Sequence, residues 1–157
     1  MTTNPYAPPT AKVADAEGTE IAPPLWNPNA AANWSLVFTP AFGALLHMLN
    51  WRALGEDGKT ASAKGWFIAS LAMLVVYIAL GLALRDPRAA DAAGRAAGLG
   101  YLIVWYFATA RSQAKYVKER FGKTYPRKGW TKPLLLGALA LIGYLALAVF
   151  VGFLFYR

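Results

Sequence analysis

The chain has 157 residues, 57% hydrophobic and only 15% charged, against roughly 45–50% and about 25% in soluble domains. It has no cysteine, which excludes disulfides, thiol nucleophiles and thiolate metal sites. The net charge is +8, yet eight of the 16 basic residues fall between 111 and 132, so the charge is local.

Residues 1–28 hold Pro5, Pro8, Pro9, Pro23, Pro24 and Pro28, with Asp15, Glu17 and Glu20 between them. Prolines remove backbone donors and few apolar side chains are available to bury, so this stretch is expected to be a disordered tail. Asn4-Pro5-Tyr6-Ala7-Pro8-Pro9 fits a short polyproline recognition motif, the plainer alternative being a solvated leader. No basic start followed by an apolar run opens the chain, so the apolar segments further on are expected to direct insertion.

Residues 30–51 are mostly apolar but carry Pro40 and Gly43 at the centre, then His47 and Asn50. Pro40 cannot donate to the carbonyl of Leu36, which predicts a kinked or split helix. Trp34 and Trp51 bracket the segment, and indoles favour the headgroup boundary of a bilayer. Two readings stay open: a re-entrant or interfacial helix pair, and a fourth spanning helix.

The run Asn33-Trp34-Ser35-Leu36-Val37-Phe38-Thr39-Pro40-Ala41-Phe42-Gly43, followed by His47, Trp51 and Gly55, resembles a segment of a family of small bacterial inner-membrane proteins described only as a domain of unknown function. Asn33, Trp34, Phe38, Pro40 and Phe42 stand at matching places, and His47 stands where that family often has a basic residue. The resemblance covers residues 33–55 directly and the order of the later spans loosely. It implies a bacterial inner membrane and transfers no catalytic residue.

Residues 52–64 read as a polar connection, with Gly55 and Gly58 suited to a turn. Residues 66–84 are a 19-residue uncharged run, a first full span, ended by Arg85-Asp86-Pro87-Arg88. A further span is expected within 92–121, its helix starting near Ala89, although only 15 residues, 96–110, are uncharged there. Arg95 and Arg111 flank them and can snorkel to water. Ala114, Val117 and Phe121 recur at helical spacing, predicting an amphipathic extension that stops at Gly122. The last span, 132–156, contains 23 residues (134–156) with no charge, amide or proline. As a helix they extend roughly 34 Å, enough for the ~30 Å hydrocarbon core. Gly94 and Gly98, and Gly137, Ala140 and Gly143, form small-residue ridges suited to close helix packing, within one bundle or, as the alternative, between copies in a homo-oligomer. The expected fold is all-α: a tail, 1–28, and a helical membrane domain, 29–157, with three full spans plus the segment broken at Pro40.

The connections 52–64 and 111–132 carry three and eight basic residues, against three in 85–95 and one at each terminus, Lys12 and Arg157. The positive-inside rule then places 111–132 in the cytoplasm and Arg157 outside, with the tail inside in the three-span arrangement. Beside a bilayer, Arg111, Lys115, Lys118, Arg120, Lys123, Arg127, Lys128 and Lys132 are expected to contact anionic lipid or a membrane-protein partner rather than nucleic acid.

Chemistry is sparse. His47 is the sole histidine and, without cysteine or a nearby carboxylate, makes no metal site; with Asn50 it is the one candidate polar site. Asp91 and Arg95 fit an i,i+4 pair, and the adjacent Glu56 and Asp57 point apart. No cofactor site and no catalytic residue is expected. The sequence points to a non-enzymatic accessory or interaction subunit, with a small oligomeric channel or permease as the alternative.

Overall fold

The computed structural model describes residues 21–84 and 86–155, all-helical apart from one isolated parallel bridge, Leu25 with Arg127. Most of the expected tail, together with Lys12, Arg85, Tyr156 and Arg157, lies outside the described residues. The part that is described departs from the tail reading. Leu25 is fully buried, its N–H donates to the Pro126 carbonyl at 3.0 Å, and its own carbonyl accepts from the Lys128 N–H at 2.9 Å. One large aliphatic side chain between prolines is enough to anchor this strap once the loop at 122–130 offers backbone partners.

Helix α1 (Pro28–Phe38) starts where sequence rules allow: Asn27 accepts hydrogen bonds from the Asn29 and Ala30 N–H groups, and Pro28 fills the first position. Pro40 then splits the segment as expected. Thr39 sits between α1 and α2 (Pro40–Ala53) with φ 117°, a conformation a β-branched residue rarely adopts. The two helices fold back on each other. Gly43 makes this possible: a Cβ there would stand 2.0 Å from Ser35 Oγ, 2.7 Å from the Trp105 ring and 3.1 Å from the Ala31 carbonyl oxygen. Residues 30–51 are therefore two short antiparallel helices. At 14 residues, α2 is about 21 Å long, short of the ~30 Å hydrocarbon core.

Helix α3 (Asp57–Ala83) begins earlier than the expected 66, and the polar connection shrinks to a turn at Leu54–Glu56 with Gly55 at φ 71°. Thr60 Oγ1 bonds the Glu56 carbonyl at 2.9 Å and Lys59 pairs with the Glu56 carboxylate at 3.2 Å, so the charges support a first helical turn instead of breaking it. Helix α4 (Pro87–Trp105) begins two residues ahead of the expected Ala89, because Asp86 caps it at the Arg88 N–H and Pro87 occupies its first position. A π-helical turn, Tyr106–Ala110, joins it without a break to α5 (Arg111–Phe121), which ends at Gly122 with φ 68°. Helix α6 (Thr131–Phe155) closes the chain.

Two helices, α3 and α6, are long and apolar enough to cross a membrane. The α4 rod, with 15 uncharged residues between Arg95 and Arg111, falls short of that measure. Burial is inverted relative to a water-soluble bundle. In α6 only Pro133 and Gly137 are buried, while Leu136, Leu139, Ile142 and Val149 are 66%, 65%, 63% and 73% exposed. The interior instead collects small and polar residues (Ala32, Ala44, Ser35, His47, Asn50, Gln113) around Trp105 and Trp51. Tyr101 ties α4 to α3, its hydroxyl bonding the Trp66 carbonyl at 3.1 Å and Ser70 Oγ at 3.0 Å.

Candidate functional site

The buried polar residues form a connected hub where α2, α5 and the N-terminal strap meet. Asn50 Oδ1 accepts from the Trp26 N–H at 3.0 Å, and its Nδ2 donates to the Trp26 carbonyl at 2.8 Å and to Gln113 Oε1 at 3.2 Å. Gln113 Nε2 donates to the His47 carbonyl at 2.8 Å. His47 Nε2 reaches the Pro28 carbonyl at 3.2 Å, and Trp105 meets the imidazole edge-on at 5.5 Å. The expected partnership of His47 with Asn50 is thus indirect, through Gln113. All three side chains are fully buried. Burial drives the His47 pKa down to about 4, against the weaker opposing pull of the Pro28 carbonyl, so the ring is neutral near pH 7. Its Nδ1, like Trp105 Nε1, has no protein partner among the described residues.

The π turn explains how Gln113 arrives there. Eight residues separate Trp105 from Gln113, and on an ideal helix they would stand about 80° apart. The wider π turn absorbs that offset and puts Trp105, Gln113 and Val117 on one buried face. The expected stripe of Ala114, Val117 and Phe121 is accordingly shifted: Gln113 and Val117 are buried, Ala114 and Phe121 only half so.

Around the hub lies a basic rim. Lys115 pairs with Glu119 at 3.7 Å and Arg120 with Glu56 at 3.7 Å. Glu56 also accepts from the Tyr116 hydroxyl, and that hydrogen bond, with Lys59, holds its carboxyl below the usual range. Lys128 Nζ stands 4.4 Å over the Trp26 ring, Arg127 lies 5.6 Å from the Tyr125 ring, and Arg111 lies 6.0 Å from that of Phe107. Arg111, Lys118, Lys123, Arg127, Lys128 and Lys132 make no carboxylate pair among the described residues. They line one end of the molecule, from α5 through the loop to the start of α6.

Beside this rim opens a cleft of about 500 Å³ between the α1–α2 hairpin, α3 and α6. Its walls are apolar, and among the described residues Lys132 is its only charged lining residue. Helix α6 is pinned at Gly137, where a Cβ would stand 3.0 Å from the Phe42 ring, and at Tyr144, whose hydroxyl donates to the Leu74 carbonyl at 3.1 Å. Of the small-residue ridges, Gly137 and Gly98 carry close approaches; a Cβ at Gly98 would meet the Tyr77 hydroxyl at 2.7 Å. Gly94 and Gly143 face open space, and Ala140 lines the cleft. Asp91 and Arg95 pair at 2.9 Å on the surface at the opposite end, as expected from their spacing. No group of His, Asp and Glu able to hold a metal occurs among the described residues.

No protein family, curated protein or solved structure matches the chain.

Proposed function

We propose that this chain is a non-enzymatic integral protein of a bacterial inner membrane, an accessory or interaction subunit whose basic end contacts anionic lipid or partner proteins on the cytoplasmic side. In this reading α3, the rod from Pro87 to Phe121 and α6 make three crossings, and the α1–α2 hairpin dips in from the cytoplasm. The carrying observation is the inverted burial: α6 buries only Pro133 and Gly137 of its 25 residues and turns its largest apolar side chains outward, a surface that water would not tolerate. The direction follows from the basic rim, which gathers at one end while the opposite end carries the neutralised Asp91–Arg95 pair. The hub supports a scaffold over a pore or an enzyme, because Asn50 and Gln113 spend their hydrogen bonds on the protein itself.

The lipid contact is tested with the full-length chain in nanodiscs. Amide exchange over 122–130 should slow when zwitterionic lipid is replaced by anionic lipid. Changing Lys118, Lys123 and Lys128 to Gln should abolish that slowing, since each basic residue near an anionic surface contributes about 1 kcal/mol. Equal exchange in both lipids would remove the electrostatic contact.

A further inference from the structure

We propose that the cleft between the α1–α2 hairpin and α6 holds one acyl chain of an anionic glycerophospholipid, its phosphate against Lys132. The proposal rests on the membrane reading above and adds a discrete, retained lipid to it. The volume, about 500 Å³, falls in the ~300–1,000 Å³ range of small-molecule sites.

The cleft is also built along one direction. From Lys132 to Tyr144 its α6 wall rises by about 18 Å. One leaflet is half of the ~30 Å hydrocarbon core, so the wall matches the depth of a single acyl chain. Phe38, Phe42, Leu46, Leu71 and Leu74 supply apolar walls, and among the described residues no carboxylate lines the cleft. The charged end of the cleft is the basic end of the molecule. Trp26 lines it there, held by its indole N–H to the Gly129 carbonyl at 3.0 Å, with Lys128 over its ring. A chain in the cleft therefore places its headgroup between Lys132 and Lys128, where an anionic phosphate is favoured over a zwitterionic one that carries its own cation.

The test is native mass spectrometry of the full-length chain released from mild detergent after equilibration with phosphatidylglycerol or phosphatidylcholine. The wild type should retain one phosphatidylglycerol and discriminate against phosphatidylcholine. Ala140→Phe, which fills the cleft without touching a charge, should retain neither. Lys132→Gln should weaken retention roughly fivefold, the equivalent of about 1 kcal/mol for one basic residue. If Ala140→Phe does not fold, Leu136→Phe on the same wall, where the native side chain is 66% exposed, takes its place. Retention of phosphatidylglycerol by the filled variant at the wild-type level would overturn the proposal, as would equal retention of the two lipids or none of either. Those results leave the membrane reading standing; only recovery of the chain in solution without detergent removes that.

Discussion

Protonating His47 adds an N–H at Nδ1, which has no partner among the described residues to receive it. The folded ring titrates at about 4 and the unfolded one near 6.5, so between these values the unfolded chain binds more protons. The stability that neutral His47 contributes is complete above 6.5 and is lost as the pH falls toward 4, up to about 3 kcal/mol in all. Thermal melts in detergent should therefore fall progressively from near-neutral pH down to about 4, and His47→Gln should flatten that slope. Glu56, whose carboxyl is lowered chiefly by Tyr116, adds its own loss only below the ordinary carboxylate range. A wild-type profile that stays level through this window would contradict the buried neutral imidazole. At this scale the sequence revealed that His47 and Asn50 are unusual, being polar in an apolar run. It did not reveal their partners, because Trp26, Pro28 and Gln113 are brought to them from 19 to 66 residues away.

Among the elements, the break at Pro40, the cap at Gly122 and the runs of α3 and α6 were legible because each follows from local chemistry. Proline lacks a donor, glycine accepts positive φ, and lipid-compatible runs carry no charge. The early start of α3 is harder to read, since charge and glycine resemble turn signals where Glu56 instead supports a helix start, while Asp86 and Pro87 begin α4 two residues ahead of the expected Ala89. The π turn has no sequence signature and shows only in the burial pattern, Trp105 and Gln113 being out of phase for an ideal helix. A π turn accommodates one inserted residue, so deleting Phe107, which is 62% exposed, should restore an α-helix and keep Gln113 facing the hub. Inserting an alanine beside Phe107 should instead rotate α5 by about 100° and break the bond from Gln113 to the His47 carbonyl. Melting temperatures of the two variants should differ accordingly, the insertion being much the less stable. Equal stability would show that the phase of α5 does not matter.

For the whole molecule, composition alone announced an apolar exterior, and the structure adds how the interior is organised. Large side chains face outward from α3 and α6, while glycine, alanine and hydrogen-bonded amides fill the centre. The cleft could not be read from sequence, because it is a gap between α6 and a distant hairpin, set by contacts at Tyr144 and at Gly137, whose neighbour Phe42 stands 95 residues earlier in the chain. The proposed topology puts the basic end on the cytoplasmic side of a membrane. The absence of native cysteine allows a direct measurement. Single cysteines introduced at Lys123 and at Ala89, both exposed, are to be labelled with an impermeant maleimide in intact cells. A89C should be labelled from outside, and K123C only after the membrane is opened. Labelling of both from the same side, or the chain in the soluble fraction, would contradict it.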